Sequence, residues 1–178
     1  GGSGNDIITS FAGRADIFGG TGNDTISAVG ASNWIHGDDG DDTITAAGLA
    51  NQLYGDAGND TFNLSGFNNT IEGGTGNDII NANNLANSTV YAGEGADEIS
   101  IEGGSNTKYY AEDGDDVITV NSSGEMNLVY GGAGTRSAAG GLLPHLHYPL
   151  GDPEAGSGAA SACRIALCTK GGTAVPVV

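Results

Sequence analysis

Cationic side chains are scarce in this chain: 5 Lys and Arg stand against 22 Asp and Glu, a formal charge of −17 over 178 residues. A surface of that sign repels nucleic acid and anionic membrane, so neither is expected as a partner. Aromatic residues make up only 6%, too few for the bulky centre of an ordinary globular domain, so the core must be thin. No apolar run approaches the ~18 residues that a membrane-crossing helix needs. Catalytic signatures are missing too: there is no H-E-x-x-H, no G-x-S-x-G and no G-x-x-x-x-G-K-[ST], so no enzyme is expected and no catalytic residue is assigned. The single Met is Met126; with no initiator, no leader pattern and an opening in mid-repeat, the chain is expected to be a piece of a larger polypeptide with flanking domains.

Glycine is what the chain has in plenty, 33 residues, and most of it follows one rule. The stretches are GGSGNDIIT (1–9), GGTGNDTIS (19–27), GDDGDDTIT (37–45), GDAGNDTFN (55–63), GGTGNDIIN (73–81), AGEGADEIS (92–100) and AEDGDDVIT (111–119). An eighth, GGAGTRSAA from Gly131, has Arg136 where the others have Asp. The first five begin at Gly1, Gly19, Gly37, Gly55 and Gly73, a strict period of 18 residues. A unit this short cannot bury a face by itself, so stability must come from neighbours stacked in a quasi-one-dimensional array. The acid follows the repeat. Residues 1–120 hold 19 of the 22 acids against Arg14 and Lys108, whereas in the remainder Glu125, Asp152 and Glu154 balance Arg136, Arg164 and Lys170. Surface acids have no reason to recur every 18 residues, and this recurrence points to metal.

Side chains alternate faces along a strand, which decides what points inward. After the acidic turns these are Ile8, Ile26, Ile44, Phe62, Ile80, Ile99 and Ile118, joined two residues later by Ala28, Ala46, Leu64, Ala82, Ile101 and Val120. Facing them are Ile17, Ile35, Leu53, Ile71, Val90, Tyr109 and Val129, set in a second half-coil with the pattern N-x-U-x, U being apolar. Asn33, Asn51, Asn69 and Asn127 open that pattern, with Ser88 and Thr107 in the Asn place of two coils. Burial of roughly 1.5–3 kcal/mol per large aliphatic is opposed by about 1–2 kcal/mol of ordering per residue. Apolar columns alone are not expected to fold the chain.

Over residues 1–134 the stretches resemble the RTX (haemolysin-type) calcium-binding nonapeptide repeats, G-G-x-G-x-D-x-U-x. The resemblance implies an all-β fold, a right-handed parallel β-roll (β-solenoid) of about seven coils of 18–20 residues. The roll is expected over 1–135, and 136–178 as an irregular non-repeat tail, disordered, loosely docked or foreign. Glycines let carbonyl oxygens converge at each turn, and Asp at the sixth position adds a hard anionic oxygen. Oxygen donors with no His or Cys nearby suit Ca²⁺ better than zinc or copper. Carried over position by position, the ligands implied are Asp6, Asp24, Asp42, Asp60, Asp78, Asp97 and Asp116. Backbone carbonyls of Gly1, Ser3, Gly19, Gly20, Thr21, Gly22, Gly37, Asp39, Gly40, Gly55, Ala57, Gly58, Gly73, Thr75, Gly76, Gly93, Gly95 and Gly114 would complete the shells. Seven acidic turns enclose six gaps, so up to six Ca²⁺ are expected in one row along one edge. Ala92 and Ala111 at position one are expected to distort or weaken their turns, and Arg136 to end the row. The opposite edge is expected to be metal-free, tied by amide ladders and plugged by Ala31, Leu49, Phe67 and Leu85.

The resemblance further implies a module of a secreted or cell-surface bacterial protein, exported by type I secretion, that is disordered where calcium is scarce and rigid where it is plentiful. An adhesin, surface-layer protein or toxin is the first reading; the alternative is the ancillary domain of a secreted hydrolase (protease or lipase) or epimerase. Ice binding by an array of Thr25, Thr43 and Thr61 is a third, opposed by an irregular turn column of Ser3, Thr21, Asp39, Ala57, Thr75, Glu94 and Asp113. An outward column of Phe18, His36, Tyr54, Glu72, Tyr91, Tyr110 and Tyr130 either stacks for stability or binds a sugar or partner. In the tail, His145, His147, Cys163 and Cys168 fit no zinc spacing well, and a Cys163–Cys168 disulfide or two free thiols both stay open.

Overall fold

A computed structural model of the chain describes residues 1–121 and 127–132, together with the strands at 137–140 and 164–167. All regular structure among the described residues is strand. One eight-stranded sheet stacks β1 (Gly2–Ser3), β3 (Asp16–Thr21), β5 (Trp34–Asp39), β7 (Gln52–Ala57), β9 (Thr70–Thr75), β11 (Thr89–Glu94), β13 (Lys108–Asp113) and β15 (Leu128–Tyr130) in that order. The other, nine-stranded, stacks β2 (Ile7–Ser10), β4 (Thr25–Ala31), β6 (Thr43–Leu49), β8 (Thr61–Phe67), β10 (Ile79–Ala86), β12 (Glu98–Glu102), β14 (Val117–Val120), β16 (Ser137–Gly140) and β17 (Arg164–Leu167). The chain alternates between the sheets, and each strand pairs in parallel with the strand one coil on. This is a β-solenoid of about seven coils. Among the described residues no helix is long and apolar enough to cross a membrane.

Register transmits the sequence period directly into the core. Ile17, Ile35, Leu53 and Ile71 are successive partners in the first sheet, as Ile26, Ile44, Phe62, Ile80, Ile99 and Ile118 are in the second. From Ile17 and Ile26 onward these columns are buried, and Ile8 packs half-buried against them. The outward column stacks face to face in two runs: Phe18, His36 and Tyr54, then Tyr91, Tyr110 and Tyr130, with Glu72 in register between them. The Thr column has exposed Ile7, Ile79 and Val117 in its register.

One expectation about the coils changes. Leu49 and Phe67 do not plug the opposite edge: each is 51% exposed at the end of its strand, and Ala31 is half-buried. Only Leu85 is fully buried, because the coil from Gly73 to Ala92 carries one extra residue. That residue shifts the register between Ala82 and Leu85 and pairs Leu85 with Gly66 rather than Phe67. Backbone pairing continues on both sides of Ala92 and Ala111. Both are buried inside β11 and β13, and pairing resumes beyond them at Gly93 with Glu112.

The irregular tail contributes two strands, β16 and β17, which extend the second sheet beyond β14. Arg136, His145, His147, Cys163 and Cys168 lie outside the described residues.

Ile71 has a buried neighbour in register on either side, whereas Ile8 ends its column. Ile71→Ala should therefore cost about 2–5 kcal/mol and Ile8→Ala clearly less, read by urea unfolding in saturating calcium. Equal losses would contradict a core built by stacking.

Candidate metal centre

The acidic turns occupy one edge, where the chain passes from the first sheet to the second between β1 and β2, β3 and β4, and so on. At the sixth turn position the side chain points into the roll. Asp24, Asp42, Asp60, Asp78, Asp97 and Asp116 are each 1% exposed, and Asp6 in the first coil is half-buried. One oxygen of each carboxylate is engaged. Oδ1 of Asp24, Asp42, Asp60, Asp78 and Asp97 accepts the N–H of the equivalent Asp one coil earlier, at 2.7, 2.6, 2.8, 2.7 and 2.8 Å. Asp116 Oδ1 accepts from Asp97 at 3.1 Å.

The second oxygen is left over. Oδ2 of Asp24, Asp42, Asp60, Asp78 and Asp97 is buried without a hydrogen bond. In the coils from Asp24 to Asp78 it leans on the position-one glycine, Gly19, Gly37, Gly55 or Gly73, and a Cβ on Gly19 would collide with both Asp24 Oδ2 and the Gly37 carbonyl; Asp97 has Ala92 in that place. The missing side chain thus opens a space bordered by a carboxylate and by backbone oxygen, all acceptors. Buried acceptors crowded without a donor are costly.

The opposite edge is the natural control, because it uses the same ladder with a neutral side chain. Asn33, Asn51 and Asn69 Oδ1 accept N–H from Ala15, Asn33 and Asn51 at 3.0, 2.9 and 2.8 Å. Ser88, Thr107 and Asn127 continue it. This is the expected ladder in a different form: side chain to backbone, not amide to amide. The second amide atom is a donor, and in Asn51 and Asn69 it reaches the carbonyls of Gly30 and Gly48 at 3.2 and 3.4 Å. Asn51 and Asn69 thus close their own turns, while Nδ2 of Asn33 and Asn127 is buried without a hydrogen bond; what sets the acid edge apart is that its leftover atom is an acceptor among acceptors, which fits a hard cation.

The structure adds three features. Turn position five forms a ladder of the opposite sense. N–H of Asn23, Asp41, Asn59, Asn77 and Ala96 donates to the side chain of Asn5, Asn23, Asp41, Asn59 and Asn77 in the preceding coil. Its signal was the recurrent Asn or Asp before the inward Asp, interrupted at Ala96 before Asp97. Secondly, the position-three carbonyls of Thr21, Asp39, Ala57 and Thr75 accept the N–H of Gly4, Gly22, Gly40 and Gly58 at 2.7–2.9 Å, so each has one lone pair left. Thirdly, the turns are not free of histidine. His36 Nδ1 stands 2.8 Å from Asp56 Oδ2, because in-register stacking carries one coil's strand beside the next coil's turn.

Burial raises these carboxyls strongly, to about 7 for Asp60 and about 6 for Asp42, Asp78 and Asp97, against partial relief from the backbone N–H on Oδ1. Neighbouring carboxylates push Asp42, Asp60 and Asp97 the same way. The column wants a positive partner, a proton or a metal ion.

The family model for the RTX calcium-binding nonapeptide repeat (4 copies) matches residues 1–26, 18–53, 27–62, 36–71, 64–84 and 84–107, a continuous span from Gly1 to Thr107. The chain belongs to the RTX calcium-binding nonapeptide repeat family. Comparison with curated proteins and comparison with solved structures each returned no match. RTX repeats bind calcium, and the orphaned Oδ2 row of this RTX roll has the donor chemistry for that ion.

Because these carboxyls hold protons more tightly in the roll than in the unfolded chain, where Asp titrates near about 3.9, the metal-free roll is favoured in acid. It loses that stability as pH rises through about 6 to 7. In chelator the far-UV circular dichroism should therefore show more β-structure at pH 5 than at pH 7.5. A β signal that fades on acidification over that window would contradict the raised carboxyls.

Proposed function

We propose that the RTX roll is a calcium-coupled structural module of a secreted bacterial protein, of the adhesin, surface-layer or toxin type. It remains a self-repelling polyanion where calcium is scarce and becomes a rigid rod outside the cell, where calcium is plentiful. The observation that carries this reading is the row of buried, hydrogen-bond-free Oδ2 atoms on Asp24, Asp42, Asp60, Asp78 and Asp97. Those residues, with Asp6 and Asp116 at the two ends, are the side-chain ligands in this reading. Position-one and position-four carbonyls, such as those of Gly37 and Gly40, accompany them, and position-three carbonyls join through their remaining lone pair. Up to six ions fill the gaps between seven turns. Bound calcium supplies positive charge, which offsets much of the −17 formal charge.

Coupling follows from linkage. An ion that binds the roll but not the unfolded chain stabilises the roll by mass action, and an acidic, glycine-rich chain without it has too little apolar area to order itself. Export as an unfolded chain and assembly outside are then one property.

A calcium titration at pH 7.5, followed by far-UV circular dichroism with magnesium as control, tests this. A cooperative gain of β signal with calcium alone is expected; a full β signal in chelator at that pH would overturn coupled folding. Asp60 borders two gaps, and Asp60→Asn keeps the Oδ1 ladder but exchanges the orphan acceptor for a donor. It should raise the calcium midpoint roughly tenfold or more, equivalent to about 1.4 kcal/mol. Asp41→Asn, on the exposed position-five ladder, should leave the midpoint within about twofold of the parent, since a surface charge is weakly coupled. Equal shifts for the two would reduce the effect to bulk charge.

A further inference from the structure

Outside the turn interior, on the outer face of the first sheet, His36, Asp38 and Asp56 each bring one ligand atom within 4.8 Å of the others. Among the described residues this is the one such group of three. Asp38 and Asp56 are register partners at turn position two, and His36 precedes Asp38 by two residues, on the same face of β5. Imidazole and Asp56 carboxylate are 18% and 38% exposed, reachable from solvent, whereas the inward Asp row is not.

One pair of donors already stands near ligand spacing, and the third lies within 4.8 Å of both. Ligand bonds of about 2.1 Å place adjacent donors about 3.0–3.4 Å apart around a metal, and His36 Nδ1 and Asp56 Oδ2 already stand 2.8 Å apart. The imidazole plane is fixed on both sides. Its ring stacks on Phe18 at 5.3 Å and 11°, and on Tyr54 at 4.5 Å and 9°. The register row places Gly20 before Asp38 and Gly74 after Asp56, so the two carboxylates flank the one coil step at which the stacked imidazole stands.

We propose that His36, Asp38 and Asp56 form a site for a borderline transition-metal dication, Zn²⁺, Ni²⁺ or Co²⁺, distinct from the calcium row. Imidazole nitrogen suits these ions, whereas Ca²⁺ and Mg²⁺ take oxygen. Two carboxylates neutralise one dication, and water fills the remaining positions. The ion takes the place of the hydrogen bond between Nδ1 and Oδ2, and a neutral imidazole that gives Nδ1 to the metal carries its proton on Nε2. The site rests on the folded roll but not on which residues bind calcium.

The chain carries its own reporter: Trp34, the single Trp, has its ring 5.4 Å from that of His36, edge-on. The experiment titrates NiCl₂ into the full chain in saturating calcium and follows Trp34 fluorescence. Saturable one-site quenching is expected, reversed by ZnCl₂, which does not quench. His36→Asn should abolish it, and Asp38→Asn and Asp56→Asn should each weaken nickel binding by about tenfold or more. A variant with His145 and His147 changed to Asn, and Cys163 and Cys168 to Ser, should quench like the parent. Circular dichroism in calcium confirms that each variant keeps the roll; if His36→Asn does not, the two Asp variants decide. Quenching that survives His36→Asn in a folded roll, persists unweakened in both Asp variants, vanishes with the tail changes or resists zinc would overturn the site.

Discussion

Everything in this roll is arranged around a column of like charges held inside it. Parallel coils stack about 4.8 Å apart, and two carboxylates at that spacing repel by about 3.5 kcal/mol at an effective dielectric constant of about 20. The column from Asp24 to Asp116 is buried, with Oδ1 of each residue tied to the coil before it. One hydrogen bond per carboxylate cannot balance burial and repulsion together, which is why Asp42, Asp60, Asp78 and Asp97 become much weaker acids in the roll. Either protons occupy the column or a cation does, and RTX repeats bind calcium.

The two edges separate architecture from metal chemistry. Both use an inward side chain at the same place in the half-coil, and both satisfy the preceding amide through Oδ1. They differ in a single atom. Nδ2 of Asn51 and Asn69 donates to a carbonyl, whereas Oδ2 of Asp24, Asp42, Asp60, Asp78 and Asp97 has no donor to accept from. The solenoid is therefore held by a ladder that needs no ion, while the acid edge adds a demand that only a positive group meets. That division explains why Ser88 and Thr107 can stand for Asn without breaking the coil, since a hydroxyl supplies the acceptor equally well.

Much of this was legible in the sequence because a strict period leaves few ways to wrap a chain. The strands, the apolar columns from Ile17 and Ile26 onward and the inward Asp column all follow from 18-residue spacing and two-residue alternation. What escaped had physical causes. Leu85 was aligned with Leu49 and Phe67 because one extra residue was absorbed as a register shift that spacing alone does not locate. The position-five ladder was hidden because Asn5, Asn23, Asp41, Asn59 and Asn77 read equally well as solvated turn residues. His36 was read as a member of an aromatic column, which it is, while its contact with Asp56 arises across coils, twenty residues away along the chain. The strand at Ser137–Gly140 falls where the eighth glycine stretch, from Gly131, places it, in register with Val117–Val120, whereas the strand at Arg164–Leu167 has no repeat to announce it.

In-register stacking also decides how the rod answers a pull on its ends. Each coil is joined to the next by nearly the same set of bonds, the backbone pairing and the ladders at turn positions five and six. No interface is privileged, and the load passes through a queue of equivalent fasteners, of which the outermost gives way first. Each release frees one coil of 18–20 residues, roughly 60–66 Å of extended chain, and leaves the neighbouring coil to carry the force. Such a rod lengthens coil by coil in near-equal steps, a stepwise tether whose rest length is set by the number of coils.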